Sequence, residues 1–211
     1  LRMFYRPGEP HDLPHNPFNA LVVPRPIGWI SSVDRAGQVN LAPYSFFNAV
    51  AYFPPQVVFS GTGAHAAGGL KDSIRNIEET GEFVCNLVTE TLAEAMNLTS
   101  ASAPREVDEF EVAGLTKAAS TEVTPPRVAE SPAHLECRLV RVVELETTDP
   151  VAAPNRLVVG RVVGIHIDDA VIVDGRVDIT RLAPLARLGY MDYAPVRGVF
   201  EMNRPGWPRE G

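Results

Sequence analysis

The residues best suited to chemistry follow a glycine-rich loop at residues 61–69, where the chain reads Lys71-Asp72-Ser73 at the start of a predicted helix. A helix N-terminus offers unpaired N–H groups and a partial positive charge, to which Lys71 adds a full charge and Ser73 a hydroxyl. This combination favours a phosphate site, and the alternative is a capped surface helix with a solvated lysine. The loop is neither a Walker motif nor a dinucleotide fingerprint, because it lacks the Gly-Lys-Ser/Thr ending and the spacing of the third glycine.

A proline-flanked stretch at residues 24–48 is the second candidate binding segment. Its apolar residues 27–33 predict a strand, the residues 34–37 (Asp-Arg-Ala-Gly) predict a tight turn with glycine at a positive φ, and residues 39–41 predict the returning strand. At Pro43 the strand is expected to break into a segment rich in small polar and aromatic residues. Backbone N–H groups, hydroxyls and rings of such a segment could surround a flat heteroaromatic ligand.

Three segments, in this order along the chain, carry a resemblance to a known family. They are the stretch just described, residues 71–77 (Lys-Asp-Ser-Ile-Arg-Asn-Ile) with 80–86 (Thr-Gly-Glu-Phe-Val-Cys-Asn), and residues 106–116 (Glu-Val-Asp-Glu-Phe-Glu-Val-Ala-Gly-Leu-Thr). Together they resemble the flavin reductase-like family, the group of flavoredoxins and NAD(P)H:FMN reductases, whose members bind FMN in a split β-barrel. The resemblance covers residues 20–195.

The resemblance also implies which residues contact FMN. The first strand of the hairpin contributes hydroxyl groups, the Asn-x-Ala-Pro-x-Ser run contacts the flavin ring, and the Lys-Asp-Ser run lies at the phosphate. The implied cofactor-binding residues in this chain are Trp29, Ser31, Ser32, Asn40, Ala42, Pro43, Tyr44, Ser45, Ser60, Gly61, Lys71, Asp72, Ser73 and Tyr190. No metal ligand and no catalytic residue is identified, because hydride transfer between stacked nicotinamide and flavin rings needs no protein nucleophile.

The C-terminal segment 188–194, Leu-Gly-Tyr-Met-Asp-Tyr-Ala, resembles a family segment that reaches the edge of the flavin. The family pattern carries a second glycine where this chain has Tyr190. The larger ring could cover the flavin or narrow the access of nicotinamide, and the alternative is that it packs in a subunit interface.

The family resemblance implies an NAD(P)H-dependent flavin oxidoreductase that supplies reduced flavin or electrons to a partner, such as a monooxygenase. The runner-up is a non-enzymatic, flavoredoxin-like FMN protein that transfers electrons, and a third interpretation is a structural barrel without cofactor. A homodimer with flavin at the interface is expected, because a small split barrel leaves an open apolar face that a second copy could bury.

Composition excludes several other classes. Hydrophobic residues make up 45% of the 211 residues and charged residues 21%, which is ordinary globular usage. The net charge of -7 argues against a nucleic-acid partner, which would require clustered Lys and Arg. The two cysteines, Cys85 and Cys137, are expected to be buried reduced thiols. No apolar run reaches membrane-spanning length, so a cytoplasmic protein is the default expectation.

Several further elements are predicted from local patterns. Strands are expected at residues 56–60, 82–88, 133–145, 157–168 and 171–173, helices at 71–79 and 92–98, a short turn at 45–51, and loops at 99–131. Asp72 or Ser73 is expected to cap the first helix and Gly81 to end it. His134 and His166 are predicted to be structural. His65 is expected to lie exposed in its loop, and the alternative is that it contacts a ligand.

These elements predict a mainly β fold with inserted helices, a Greek-key-like antiparallel barrel that agrees with the FMN-binding split β-barrel of the resemblance. The strands do not alternate regularly with helices, so a doubly wound sheet is disfavoured. The expected organisation is a proline-rich extended arm at residues 1–19, the barrel domain at 20–195, and a poorly ordered tail at 196–211.

Overall fold

The computed structural model describes residues 3–147 and 154–207 of the 211-residue chain. The ends of the predicted arm and tail, residues 1–2 and 208–211, lie outside the described residues. The strands are β1 (Arg25–Pro26), β2 (Gly28–Val33), β3 (Val39–Tyr44), β4 (Phe47–Tyr52), β5 (Pro55–Gly61), β6 (Glu82–Asn86), β7 (Lys117–Ala118), β8 (Arg127–Val128), β9 (Ala133–Leu145), β10 (Asn155–Ile167), β11 (Ile172–Val173), β12 (Arg176–Val177), β13 (Leu185–Arg187) and β14 (Tyr193–Pro195).

The helices are short, and all except α1, which precedes β1, lie between strands. They are α1 (Phe18–Leu21), α2 (Asp72–Thr80), α3 (Ala93–Leu98), α4 (Glu109–Val112) and α5 (Ile179–Leu182). Among the described residues, no helix is both long and apolar enough to span a membrane.

Seven strands form one antiparallel sheet in the order β3-β2-β6-β9-β10-β5-β4. The sheet curls so that strands near its two edges meet. The Tyr44 ring of β3 lies 4.8 Å from the Phe59 ring of β5, and a Cβ atom on Gly28 of β2 would stand 2.6 Å from Cδ2 of Phe47 on β4. Glycine is therefore required where the Phe47 ring crosses β2. The curled sheet confirms the predicted mainly β, antiparallel barrel-type fold.

The hairpin of β2 and β3 forms as its sequence predicts. The Asp34 N–H donates to the Gln38 carbonyl at 3.0 Å, and the Asp34 carboxylate accepts from the N–H groups of Ala36 and Gln38 at 2.8 and 2.9 Å. Gly37 takes a φ of 84°, which the turn requires. The predicted turn is confirmed, and it fixes the register in which Ser32 lies opposite Asn40.

Two expectations for the residues that follow were wrong. β3 does not break at Pro43 but continues to Tyr44, with Pro43 opposite Trp29. Proline is compatible with this position because β3 is an edge strand, where an absent N–H leaves no neighbouring strand unpaired. Residues 45–51, expected to form a turn, lie mostly in β4, which pairs with β5 through Phe47 and Phe59.

Helix α2 lies against the curled sheet through one apolar face. Ile74 and Ile77 are buried in the core, and Gly81 ends the helix at a φ of 77°, where its N–H donates to the Ile77 carbonyl. The expected side-chain cap was wrong. The N-cap position is Lys71, and no side chain bonds the first turn, because the side chains of Asp72 and Ser73 bond other partners described below.

Two clusters of buried side chains form the core. One fills the curl of the sheet beneath α2 and includes Phe59, Phe83 and Ile77. The other surrounds Trp29 and Phe110, between β2, β3 and the helices α3 and α4. Cys85 and Cys137 are buried and free, as predicted, and burial raises the pKa of the Cys85 thiol well above its usual value.

A buried carboxylate, Glu136 on β9, fixes the loop that precedes β8. It accepts hydrogen bonds from the N–H groups of Thr121 at 2.9 Å, Glu122 at 2.6 Å and Val123 at 3.2 Å, and it pairs with Nε2 of His166. On the same face His134 bonds the Val128 carbonyl at 2.8 Å, and burial lowers the pKa of its imidazole. Both histidines bond neighbouring groups, as predicted for structural residues, but the buried Nδ1 of His134 has no hydrogen-bond partner among the described residues.

The N-terminal arm is not extended throughout, because Phe18 and Asn19 already belong to helix α1. Buried Arg25 joins the arm to the C-terminal segment. Its guanidinium donates to the carbonyls of Asn19 at 2.5 Å, Val22 at 2.7 Å and Leu188 at 2.9 Å. The arm therefore packs beside the segment that carries Tyr190.

Candidate functional site

A small cleft opens between the end of β3, the start of α2 and the segment 99–103 that follows α3. Its volume is about 90 Å³, and it is open to solvent on one side. The predicted site residues that line it are Asn40, Ala42, Pro43, Tyr44, Lys71, Asp72 and Ser73. Both segments that the sequence singled out, the hairpin and the helix start, therefore meet at one place.

Lys71 supplies the positive charge that is available to a ligand. Its Nζ lies 6.0 Å from the centroid of the Tyr44 ring, and in the described part of the chain it takes part in no ion pair. It stands at the N-cap of α2, where the first N–H groups of the helix lack side-chain acceptors. Cation and helix N-terminus together favour an anion such as phosphate.

Asp72 has a different role, because three cationic or polar side chains surround its carboxylate. His65 Nε2 lies 3.2 Å from Oδ2, Arg75 lies 3.2 Å from Oδ1, and Arg105 also pairs with Oδ1. Arg105 donates further to the carbonyls at positions 68 and 70 at 2.8 and 3.2 Å. Asp72 thus holds the glycine-rich loop and the segment after α3 together.

The expectation that His65 lies exposed was wrong, since only 8% of its side chain is accessible. Its Nδ1 accepts from the Ala67 N–H at 3.0 Å, so the ring proton lies on Nε2, which faces the Ala103 carbonyl at 3.1 Å and the Asp72 carboxylate. His65 therefore supports the cleft wall from the loop side.

A buried hydrogen-bond chain forms the floor of the cleft. Ser73 Oγ donates to Asn40 Oδ1 at 2.6 Å, and Asn40 Nδ2 donates to Glu109 Oε1 at 3.0 Å. The Leu41 N–H donates to the other carboxylate oxygen of Glu109 at 3.0 Å. The Ser73 hydroxyl therefore bonds Asn40 in this structure, and its expected contact with phosphate stays a prediction.

Burial affects the pKa of two acidic groups in or beside these hydrogen bonds, Tyr44 and Glu109. Burial raises the pKa of Tyr44 to about 12, although a hydrogen bond with Ser73 acts in the opposite direction. Burial also raises the pKa of Glu109 above its usual range, against the hydrogen bonds from Leu41 and Asn40. The Tyr44 phenol consequently stays neutral at ordinary pH and presents a ring and a hydroxyl to the cleft.

Trp29, Ser31 and Ser32 lie behind the cleft rather than on its surface, and none has exposed area. Trp29 Nε1 donates to Thr99 Oγ1 at 2.9 Å, Ser31 Oγ donates to the Pro126 carbonyl at 2.5 Å, and Ser32 Oγ accepts from the Asn76 amide at 3.2 Å. Both faces of β2 are covered, so these hydroxyls stabilise neighbouring segments. In this structure they support the cleft wall, and their contact with FMN stays a prediction.

Ser60, Gly61 and Ser45 also lie outside the cleft lining. Ser60 is 9% exposed, and its Oγ has no hydrogen-bond partner in the described part of the molecule. Gly61 packs so that a Cβ atom would stand 3.1 Å from the Ile74 side chain and 3.5 Å from the Tyr44 ring. A buried hydroxyl without a partner at the end of β5 fits a ligand contact, and contact by these three residues stays a prediction.

Tyr190 does not line the cleft. It takes a φ of 55° and is 49% exposed, and its ring centroid lies 5.7 Å from that of His15 in the arm. Arg187 donates to its carbonyl. The left-handed backbone explains why a glycine would suit this position, because a Cβ atom is strained at positive φ.

Sequence reasoning missed several residues that shape the cleft. They are Glu109, Arg105 and the segment 99–103, which line or support it. A signal for Glu109 was present, since it lies in the third segment of the family resemblance, but that segment had no assigned role. Within the described residues, no group of His, Cys, Asp or Glu side chains could hold a metal ion.

Comparison with known proteins agrees with this geometry. The sequence model of the protein family described as flavin reductase like domain matches residues 20–181 of this chain. An uncharacterised protein of Halalkalibacterium halodurans is 38% identical over 184 residues, which cover 87% of this chain and 87% of that protein.

Two solved structures are similar in sequence and in fold. Nitrilotriacetate monooxygenase component B from Bacillus cereus has 34% identity and a TM-score of 0.85, with 96% of this chain and 99% of that chain covered. The 2-nitrobenzoate 2-nitroreductase NbaA from Pseudomonas fluorescens has 28% identity and a TM-score of 0.78, with 92% and 91% covered.

Proposed function

This chain belongs to the flavin reductase-like domain family, and we propose that it is an FMN-binding oxidoreductase that uses NAD(P)H and passes reduced flavin or electrons to a partner. The observation that carries the proposal is the cleft itself. On one side of the cleft lies Lys71 at the N-terminus of α2, which has no ion-pair partner among the described residues. On the other side lies the β2–β3 hairpin, which contains the Asn-x-Ala-Pro-x-Ser run.

The residues present fit FMN. Lys71 and the first N–H groups of α2 would hold the phosphate, because Lys71 has no ion-pair partner among the described residues and no side chain caps the helix. The Tyr44 ring and the small side chains of Ala42 and Ala64 would leave room for a flat ring system. When bound, FMN supplies the redox chemistry by accepting and releasing electrons, so that the protein is required only to bind, orient and exclude water.

We further propose that a second copy of the chain completes the site. Pockets for drug-sized ligands enclose about 300–1,000 Å³, whereas this cleft has about 90 Å³ and an open side. One chain therefore encloses only part of a flavin nucleotide. A homodimer with the flavin near its interface would cover the rest.

The electron acceptor is proposed from a similar protein whose role is named. The similar protein from Bacillus cereus is component B of a monooxygenase, so we propose a monooxygenase-type partner that accepts reduced flavin. The cytoplasmic location expected from composition remains a prediction.

The test starts with the absorption spectrum of the purified protein, before and after incubation with FMN and gel filtration. A reductase should retain or bind FMN and bleach it under anaerobic conditions when NADH or NADPH is added. Flavin that stays oxidised with both nucleotides but is bleached by dithionite would favour the flavoredoxin-like carrier. Failure to bind any flavin would refute both.

A further inference from the structure

The third family segment, residues 106–116, has no role in the proposed phosphate or ring contacts, yet it places a carboxylate at the cleft. Glu109 is 8% exposed and lines the cleft from helix α4. Its backbone is held on both sides. Asp108 caps the helix by accepting from the Phe110 N–H at 3.0 Å, and the Phe110 ring is fully buried in the core around Trp29. Glu109 is therefore held in place independently of any ligand.

Both oxygens of Glu109 meet donors on β3. Oε1 accepts from Asn40 Nδ2, and Oε2 accepts from the Leu41 N–H, each at 3.0 Å. An ionised carboxylate is acceptor-only, so it satisfies two donors at once. A glutamine at this position would turn its own N–H₂ group toward one of them. The two hydrogen bonds offset the cost of burying the charge of Glu109, a cost that a glutamine would avoid.

The same contact decides the orientation of the Asn40 side chain. An asparagine amide can be turned by 180°, and Ser73 does not choose between the two orientations, because a hydroxyl can donate or accept. Glu109 does choose, since only the nitrogen end of the amide can donate to a carboxylate. Among the described residues Asn40 Nδ2 bonds Glu109 alone, so its second N–H is left for a ligand at the cleft that Asn40 lines.

We propose that Glu109 is a positioning residue, which orients the Asn40 amide so that the cleft presents an N–H donor to a hydrogen-bond acceptor on the bound flavin nucleotide. This role rests on the proposed function and extends it to the part of the ligand that lies at the hairpin. Glu109 itself need not touch the ligand.

The first experiment compares Glu109→Gln with Glu111→Gln, which alters an exposed residue of the same helix. FMN affinity is measured by quenching of flavin fluorescence. Loss of one hydrogen bond corresponds to roughly 2- to 12-fold, so Glu109→Gln should weaken FMN binding by that factor while Glu111→Gln stays within twofold of wild type. Melting of the flavin-free proteins shows whether each variant is folded.

The second experiment separates positioning from general support. In an Asn40→Ala background, Glu109→Gln should have little further effect on FMN affinity, because the group that it orients is gone. The flavin-free protein provides another readout. The side-chain N–H₂ signals of Asn40, identified by their loss in Asn40→Ala, should shift in Glu109→Gln and remain in place in Glu111→Gln.

The outcomes distinguish this proposal from the one on which it rests. Wild-type protein that binds no flavin would refute the proposed function, and the positioning role with it. Wild-type protein that binds FMN, with additive effects of the two substitutions or unmoved Asn40 signals, would refute the positioning role alone.

Discussion

Replacing Lys71 with alanine should weaken FMN binding strongly and leave riboflavin binding nearly unchanged. Riboflavin has the same ring and ribityl chain but no phosphate, so it lacks the group that Lys71 is proposed to meet. A charge-assisted hydrogen bond contributes roughly 1.5–3 kcal/mol, which corresponds to a loss of about 10- to 150-fold in FMN affinity.

The structure indicates that little else changes in this variant. Lys71 has no ion-pair partner in the described part of the chain, so its removal leaves no carboxylate unpaired. The contact that is lost is with the Tyr44 ring at 6.0 Å, worth about 0.5–1 kcal/mol at a partly exposed site. The backbone N–H groups of α2 remain, so phosphate binding should be weakened rather than abolished.

Titration of both flavins into wild type, Lys71→Ala and Arg35→Ala measures the effect. Arg35 is exposed in the β2–β3 turn, so its variant removes one positive charge away from the cleft and controls for net charge. The FMN affinity of Arg35→Ala should match wild type, and raising the salt concentration should narrow the difference between FMN and riboflavin in both of these proteins more than in Lys71→Ala. An equal loss for both flavins in Lys71→Ala would show that Lys71 supports structure and would refute the phosphate assignment.

Three further predictions follow from other parts of the molecule. Tyr190→Gly should not lower the melting temperature, because glycine adopts the φ of 55° without strain. If the Tyr190 ring narrows the access of nicotinamide to the flavin, stopped-flow reduction of bound FMN by NAD(P)H should be faster in this variant. A slower or equal rate would contradict a role of Tyr190 in limiting that access. Burial acts to raise the pKa of Glu136, but hydrogen bonds from Thr121, Glu122 and His166 outweigh it, so the pKa in the folded protein lies below its usual value of 4.5. The stabilising contribution of the carboxylate should therefore be present above pH 4.5 and be lost as the pH falls through the pKa of the folded state. Glu136→Gln should cost roughly 1–3 kcal/mol of unfolding free energy at pH 7, and urea unfolding from pH 7 to pH 3 should show this difference from wild type shrinking. Light scattering of the FMN-loaded protein at micromolar concentration should give the mass of two chains, and a single-chain mass with FMN bound would contradict the proposed dimer.

Elements with strong local signals could be predicted from the sequence. The turn before Gln38 needs only Asp34 and a glycine, and helix α2 ends at Gly81 because glycine takes the left-handed backbone there. Strand β9 was predicted with its observed bounds, since β-branched and apolar residues run through it. In each case the deciding interaction lies within a few residues of the chain.

The misassigned elements depended on position in the sheet. Pro43 reads as a strand breaker, but β3 lies at the edge, where a missing N–H leaves no neighbour unpaired. Phe47 begins β4 because its ring packs on Gly28 of β2, a contact between strands that are not neighbours in the sheet. Sequence patterns carry no information on which strand will be at the edge or which ring will cross the curl.

The residues of the candidate site also fall into those that a local motif predicts and those that depend on partners distant in sequence. Lys71, Asn40 and Tyr44 were found because each lies in a short motif that reaches the cleft directly. Glu109 and Arg105 were missed because their roles depend on partners far away along the chain, Asn40 and Asp72. Ser31 was expected at the ligand from the family resemblance alone, and local sequence did not show that both faces of β2 are buried.

The charges at the start of α2 explain how an acidic chain could bind an anionic cofactor. The net charge is -7, but the interaction between exposed charges is screened beyond roughly 8–10 Å at physiological salt, so the local arrangement decides. Asp72, which would repel a phosphate, is surrounded by Arg75, Arg105 and the Nε2–H group of His65. The adjacent Lys71 is left without a carboxylate partner among the described residues. Two neighbouring residues of one motif therefore have different roles. The Asp72 carboxylate pairs with cationic side chains and so holds the loop in place, whereas the Lys71 ammonium group is available to bind the ligand. Replacing Asp72 with a neutral residue would make the site more positive, but it would also remove the contacts that order the glycine-rich loop. We therefore expect the loss of loop order to outweigh any gain in anion binding.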